Sequence, residues 1–143
     1  MDQANYDTVF RLDIPATFKY LNVVSSSLTA VLEHAEYLSE RDALIYNIIL
    51  AVHEICTNIV EHAYAGEGGR IKIEIRLDEQ PTHIVIDLYD TGKKFDLAAM
   101  PEPDLEDVLI RGYGLFLIRE LMDEVSYKSE AEQNHWRLTK KIV

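Results

Sequence analysis

The amino-acid sequence predicts an α/β fold of two layers, with helices on one face of a mixed, mostly antiparallel sheet. Residues 70–78 and 83–90 alternate strictly between apolar and polar side chains, which is typical of strands with one buried and one wet face. Residues 40–65 repeat their apolar side chains every three or four positions instead, which is typical of an amphipathic helix. Such strands and helices in one short chain favour a layered α/β (α+β) sandwich.

The length and composition fit one globular domain. The chain has 143 residues, of which 48% are hydrophobic and 27% are charged, so we predict a single domain over residues 1–143. The one cysteine, Cys56, excludes an internal disulfide and a multi-cysteine zinc site. The chain does not open with a basic segment and an apolar run, and no stretch approaches the roughly 20 apolar residues that span a bilayer, so we expect a cytoplasmic protein.

The charge balance argues against polyanionic partners. The formal net charge is −11, from 25 acidic and 14 basic residues. Such a surface repels phosphate backbones and anionic lipid, so we expect no direct binding to nucleic acid or to a membrane. A nucleotide would need a metal ion and backbone N–H groups to offset its charge.

The elements of the first half follow in order. Residues 9–14 are predicted to form a strand that could pair within the sheet or with a neighbouring molecule, and Pro15 ends it. Residues 17–38 are predicted to form a helix. Ser39 is the expected N-cap of the second helix, over residues 40–65. The glycines that end this helix are Gly66, Gly68 and Gly69.

The second half is predicted to contain two hairpins and one helix. Residues 70–78 and 83–90 are joined by a short turn, so they form an antiparallel hairpin. A third helix is expected over residues 114–123. Residues 125–129 and 135–142 are expected to form a closing hairpin.

A polar stripe on the second helix is the strongest chemical feature. Glu54, Asn58 and His62 are spaced four apart, so they share one helix face, and Glu61 falls near them. Asn58 offers a hard oxygen ligand to Mg²⁺, and Glu54 can orient or deprotonate an attacking hydroxyl. The simpler alternative is a solvated helix face, with His62 favoured there by the helix dipole.

Two glycine-containing segments could complete a binding site. Asp90-Thr91-Gly92 follows an apolar strand, where the carboxylate could accept the amine of adenine and Gly92 could admit a ligand close to the backbone; an ordinary β-turn is the alternative. Gly112 and Gly114 precede a helix, where backbone N–H groups could meet an anion and Arg111 could contact a phosphate. Neither a P-loop nor a dinucleotide fingerprint is present.

The order and spacing of these three segments resemble a known superfamily. Residues 51–64, with Glu54 and Asn58, resemble the N box of the GHKL ATPases. Asp90-Thr91-Gly92 is similar to their G1 box, and residues 112–115 are similar to their G2 box. Within the superfamily, the length and residues 114–125 most resemble the bacterial anti-sigma factor serine/threonine kinases, the RsbW-like group.

This resemblance implies a Bergerat fold that binds ATP or ADP with Mg²⁺. Adenine would meet Asp90, Asn58 would be the metal ligand, and Glu54 would be the catalytic base. Residues 95–111 would form a lid over the nucleotide. The residues expected to contact the nucleotide are Asn58, His62, Asp90, Gly92, Phe95, Arg111, Gly112, Gly114 and Leu115.

The resemblance also implies partners. In this group the kinase substrate is a serine or threonine on a small anti-anti-sigma protein, and the other partner is an RNA polymerase sigma factor that a kinase homodimer sequesters. Two alternatives compete with a kinase. One is a nucleotide-gated binding module without catalysis, which would be indifferent to the loss of a base at Glu54. The other is a degenerate interaction domain, which would show no nucleotide-dependent shift in melting temperature.

Overall fold

A computed structural model of the chain describes residues 8–33, 40–77, 83–95 and 113–142, the first three residues of the last range by backbone alone. Within these ranges five strands form one sheet in the order β1-β2-β3-β5-β4. The strands are β1 (Thr8–Pro15), β2 (Arg70–Leu77), β3 (His83–Asp90), β4 (Glu124–Glu130) and β5 (Gln133–Lys141). The helices are α1 (Leu21–Glu33), α2 (Arg41–Asn58) and α3 (Tyr113–Leu121), with a 3₁₀ turn at Phe18–Tyr20 before α1.

The strand pairings confirm the predicted hairpins. β2 pairs antiparallel with β3, and β4 pairs antiparallel with β5. The first strand pairs with β2 inside the chain and lies at one edge of the sheet. Every pairing among the described residues is antiparallel, so the part of the sheet that the structure describes is simpler than the predicted mixed sheet.

The helices confirm the prediction in position and differ at their ends. The helix predicted over residues 17–38 consists of the 3₁₀ turn and α1, and residues 34–39, including the expected cap Ser39, lie outside the described residues. Glu40 immediately precedes α2 in a left-handed conformation with φ 52°, and its side chain caps no backbone N–H group. The helix predicted over 114–123 is α3.

The core lies between the helices and one face of the sheet. Alternate residues of the central strands, such as Ile73, Ile86 and Leu138, are fully buried on this inner face. α2 lies between α1 and α3 and contacts both, and its Ile48 and Ile55 are fully buried. The sandwich therefore depends on α2 as its central helix.

The expectation that no segment has the length and composition of a membrane span was wrong for α2. Together with the turn that follows, Arg41–Ala63 is a helix of 23 residues that is apolar enough to cross a membrane by length and composition. Its apolar side chains are the ones that the core buries, since Ile45, Val52 and Ile59 pack in the cluster with the sheet. The apolar character of this segment is therefore explained by its place in the core.

A wider turn continues α2 beyond Asn58. Ile59–Ala63 form a π-helical turn, in which the Tyr64 N–H donates to the Ile59 carbonyl at 3.0 Å. The chain then leaves the helix through two left-handed residues, Ala65 at φ 51° and Gly66 at φ 74°. The glycine-rich end predicted for this helix is confirmed, and the π turn was not predicted.

Candidate functional site

One narrow pocket, of about 10 Å³, brings together predicted site residues from different parts of the chain. Asn58 from the end of α2, Asp90 from the end of β3, and Phe95 line the same pocket. Its apolar wall is completed by Tyr127 of β4 and Trp136 of β5, whose rings lie 4.6 Å apart between centroids. The N and G1 segments, 32 positions apart from Asn58 to Asp90, thus meet in space as the sequence predicts.

Asp90 is a buried carboxylate with one engaged oxygen. Its residue exposure is 3%. Oδ1 accepts hydrogen bonds from the Gly92 N–H at 2.9 Å and from Asn134 Nδ2 at 2.8 Å, whereas Oδ2 accepts none from any described residue. Burial raises the pKa of Asp90, and the two hydrogen bonds oppose this rise. Oδ2 therefore suits a ligand that donates a hydrogen bond.

Asn134 fixes this carboxylate, and sequence reasoning missed it. Asn134 is buried and is directly opposite Asp90 in the register of β3 and β5. Nδ2 also donates to the Gly92 carbonyl at 3.0 Å, and Ser129 Oγ donates to Oδ1 at 2.9 Å. Only the strand register identifies this role, because Glu132-Gln133-Asn134 resembles an ordinary polar turn in the sequence.

The loop after Asp90 is docked onto the π turn of α2. The Lys93 N–H donates to the Ala63 carbonyl at 2.6 Å. The Thr91 N–H donates to Tyr64 Oη at 2.9 Å, and that hydroxyl donates to the Arg70 carbonyl at 2.7 Å. These bonds connect the helical segment that carries Asn58 to the loop that follows Asp90, so they fix the distance between the two sides of the pocket.

Gly92 is required by packing, and we expect Gly92→Ala to destabilise the protein. A Cβ at this position would clash with the backbone carbonyl of Ala63, which cannot rotate away as a flexible side chain could. Forcing an extra carbon into such a contact costs about 1–3 kcal/mol. Urea unfolding measures the loss, with Lys94→Ala on the exposed side of the same loop as the control. Unfolding free energies equal within about 0.5 kcal/mol for Gly92→Ala and wild type would contradict this role.

Glu54 and Asn58 lie half-buried, one turn apart on α2. Neither side chain makes a hydrogen bond or ion pair with any described residue. No group of three or more His, Cys, Asp or Glu side chains among the described residues could hold a metal by itself. Mg²⁺ at nucleotide sites needs only one or two protein oxygens because phosphates and water supply the rest, so the amide oxygen of Asn58 fits this requirement.

Like Glu54, His62 is a predicted site residue that does not line the pocket. Its side chain is 62% exposed, and its nearest charged partner is Glu61, at 3.9 Å between Nε2 and Oε2. The spacing argument assumed α-helical geometry, whereas His62 lies in the wider π turn. Arg111 and Gly112 lie outside the described residues, and Gly114 and Leu115 are described only as backbone in the first turn of α3.

Comparison with known proteins shows the family of this chain. Residues 14–140 match the model of the histidine kinase-like ATPase domain family. The serine-protein kinase RsbW of Oceanobacillus iheyensis is 34% identical over 136 residues, which cover 89% of this chain and 82% of the relative. RsbW of Halalkalibacterium halodurans is 32% identical over 128 residues, which cover 84% of this chain and 75% of the relative.

Two solved structures share the fold. The crystal structure of the RsbU and RsbW domains of Rv1364c from Mycobacterium tuberculosis aligns with a TM-score of 0.67 at 20% identity, covering 94% of this chain and 32% of that longer chain. The SiaB-SiaC complex from Pseudomonas aeruginosa gives 0.61 at 16% identity, covering 92% of this chain and 88% of the neighbour. The chain therefore belongs to the histidine kinase-like ATPase family and, within it, to the ATP-binding serine-protein kinases of the RsbW group.

Proposed function

We propose that this kinase transfers the γ-phosphoryl group of ATP to a serine or threonine of a small anti-anti-sigma protein. The observation that carries the proposal is the shared pocket of Asn58 and Asp90, with the carboxylate of Glu54, which pairs with no described residue, one helical turn before Asn58. A nucleotide held between the two sides would extend its phosphates toward this carboxylate. The proposal covers the substrate class and the role of each residue.

Asp90 would recognise the adenine. Its Oδ2 would accept the exocyclic amine, while Asn134 and the Gly92 N–H hold Oδ1 in place. The Phe95, Tyr127 and Trp136 rings supply an apolar surface for a base. The Phe95 N–H donates to Tyr127 Oη at 2.8 Å, which keeps this aromatic wall together.

Asn58 would hold Mg²⁺ through its amide oxygen. When bound, the ion would neutralise charge on the phosphates, which a protein of net charge −11 otherwise repels. The phosphates would also meet backbone N–H groups at Gly112 and Gly114, with Leu115 and Arg111 beside them, because these residues precede and open α3. Phe95 to Arg111 would be the lid, and His62 would make an outer contact.

Glu54 would act as the general base. The substrate hydroxyl oxygen forms a bond to the γ-phosphorus, and the bond from that phosphorus to the β,γ-bridging oxygen breaks, so ADP leaves with its electron pair. The hydroxyl proton passes to the Glu54 carboxylate. Transfer of this kind depends chiefly on positioning and charge neutralisation, so a few well-placed side chains are enough.

The same chain would regulate transcription by exchanging partners in the cytoplasm. A homodimer would sequester an RNA polymerase sigma factor and release it when the unphosphorylated anti-anti-sigma protein competes. Phosphorylation of that competitor would restore the complex with sigma. The relatives named serine-protein kinase RsbW and the fold shared with SiaB, solved as a SiaB-SiaC complex, support this assignment.

Calorimetry with Asn58→Ala tests the site. We expect wild type to bind Mg-ATP and Mg-ADP with micromolar affinity, about −8 kcal/mol. Wild type should bind nucleotide more tightly with Mg²⁺ than with a chelator. In Asn58→Ala, most of this difference in affinity should be lost. Asn47→Ala, the same change three turns earlier on α2, is the matched control. Equal magnesium dependence in both variants would remove Asn58 as the metal ligand.

A further inference from the structure

The face of the sheet opposite the helices, called here the outer face, concentrates basic residues. It consists of every second residue of the five strands, in cross-strand pairs such as Lys72 with Tyr89 and Asp87 with Arg137. The chain has 14 basic residues, and half of them lie on this face. They are Arg11, Arg70, Lys72, Arg76, Lys128, Arg137 and Lys141. Among the described residues, this face of a chain of net charge −11 therefore has more positive than negative side chains.

Ion pairs within the outer face neutralise two acids of its first two strands. Glu74 Oε2 lies 2.9 Å from Arg11 Nε, and Asp13 Oδ1 lies 2.7 Å from Arg70 Nε. Of the other three described acids on the face, Asp87 is on the central strand β3, and Glu124 and Glu130 are at the ends of the edge strand β4. The basic side chains that form no ion pair with a described residue are Lys72, Arg76, Lys128 and Lys141. Among the described residues of the face, these four cations therefore outnumber the two acids without an ion pair, Glu124 and Glu130.

Asp87 organises this face at a cost in desolvation. Its side chain is only 1% exposed although no described element covers the outer face, and Oδ1 lies 2.7 Å from Arg137 Nε and 2.6 Å from His135 Nε2. Burial by itself would raise the pKa of Asp87, but the bonds from Arg137 and His135 outweigh it and lower the pKa. Buried ion pairs are weak stabilisers compared with apolar residues of the same volume. Folding alone does not account for a carboxylate here, whereas holding the Arg137 guanidinium and the His135 ring in fixed positions does.

A flat aromatic row lies next to this carboxylate. The cross-strand register orders Lys72, Tyr89, His135 and Lys128 across four strands. The Tyr89 and His135 rings stack with centroids 4.4 Å apart and planes 17° apart. Two lysines thus flank a rigid, partly exposed aromatic pair, an arrangement that would contact carboxylates and apolar groups together.

We propose that the outer face is the docking surface for an acidic segment of a partner protein. Charge complementarity selects the partner, because the face offers cations whose own acids are already paired. A nucleic acid fits less well, since a long polyanion would extend beyond the patch onto the acidic remainder of the chain within a screening length of about 8 Å. The surface lies on the opposite side of the sheet from Asp90 and Asn58, so it is independent of the proposed phosphoryl transfer.

Fluorescence anisotropy tests the proposal with two labelled probes, a short polyglutamate peptide containing one tyrosine and an oligothymidylate of equal charge. We expect wild type to bind the peptide more tightly than the oligothymidylate. Lys72→Glu/Lys128→Glu should weaken peptide binding by about tenfold or more. Lys19→Glu/Arg41→Glu makes the same change in net charge on the helical side. Its affinity for the peptide should stay within about twofold of that of wild type.

Three results would overturn the proposal: no peptide binding by wild type, an equal loss in both double variants, or tighter binding of the oligothymidylate. Mg-ADP calorimetry on the same variants shows that they are folded, because neither double variant touches the pocket. Asp87→Asn gives a second check, as it should weaken peptide binding by releasing Arg137 and His135 while leaving Mg-ADP affinity unchanged. Peptide affinity unchanged in a folded Asp87→Asn protein would remove the organising role of this carboxylate.

Discussion

Glu54→Gln should slow phosphoryl transfer by about 10²–10⁴-fold while ADP binding stays close to wild type, because the amide keeps the shape of the side chain but cannot accept the hydroxyl proton. Glu54 makes no hydrogen bond or ion pair with a described residue, so the substitution breaks no such contact in the part of the chain that the structure describes. Single-turnover transfer of labelled phosphate from ATP to a cognate anti-anti-sigma protein measures the rate.

Glu61→Gln is the matched control for this rate. It makes the same change in charge two turns along the same helical segment, where the side chain is exposed, and it should transfer phosphate at the wild-type rate. If Glu54→Gln also transferred at the wild-type rate, Glu54 would not be the base. Another group would then accept the hydroxyl proton, or the transfer would proceed without a general base.

Asp90→Asn should lower the affinity for adenine nucleotides by about 10–100-fold, the loss expected when a hydrogen bond to a charged acceptor is removed. The amide oxygen can still accept from the Gly92 N–H and from Asn134, so the loop should keep its conformation. Calorimetry with ADP measures the affinity. Asp42→Asn, in the exposed first turn of α2, is the control of equal charge.

Asp90→Asn should be at least as stable as wild type at neutral pH. Burial raises the pKa of Asp90 in the folded protein above its unfolded value of 3.8. Between the unfolded and the folded pKa, the native state binds more protons than the unfolded state, so stability falls as the pH rises through this range. The ionised carboxylate is therefore a cost at pH 7, and asparagine removes it. Thermal melting from pH 7 to pH 4 should show the difference between the proteins narrowing as wild type becomes protonated. A stability of Asp90→Asn well below wild type at pH 7 would contradict this balance.

The strands could be predicted from the sequence because side-chain alternation is a local property. Residues 70–78 and 83–90 alternate strictly, and the structure places β2 and β3 within one residue of these limits. The apolar repeat of α2 is local in the same way. Its π turn is not, because the Ala63 carbonyl accepts the N–H of Lys93, 30 positions later.

The candidate site also contains residues that local sequence identifies and residues that only long-range contacts identify. Asn58 and Asp90 lie in recognisable motifs, and both line the pocket. Asn134 has no motif around it and gains its role only from its position opposite Asp90 in the sheet. His62 was expected on the stripe of Glu54 and Asn58 because α-helical spacing was assumed, whereas it lies in the π turn, and its contact with the nucleotide stays a prediction.

Trp136 gives this protein an optical reporter of its own pocket. It is the single tryptophan of the chain, it is 2% exposed, and its ring centroid lies 5.6 Å from that of Phe95. Selectively excited emission therefore comes from one ring in the wall shared with Asp90 and Asn58. A base stacked against that wall would alter the quantum yield or the wavelength of this emission, so nucleotide entry and departure could be followed in real time by stopped-flow fluorescence, without a label or an added residue.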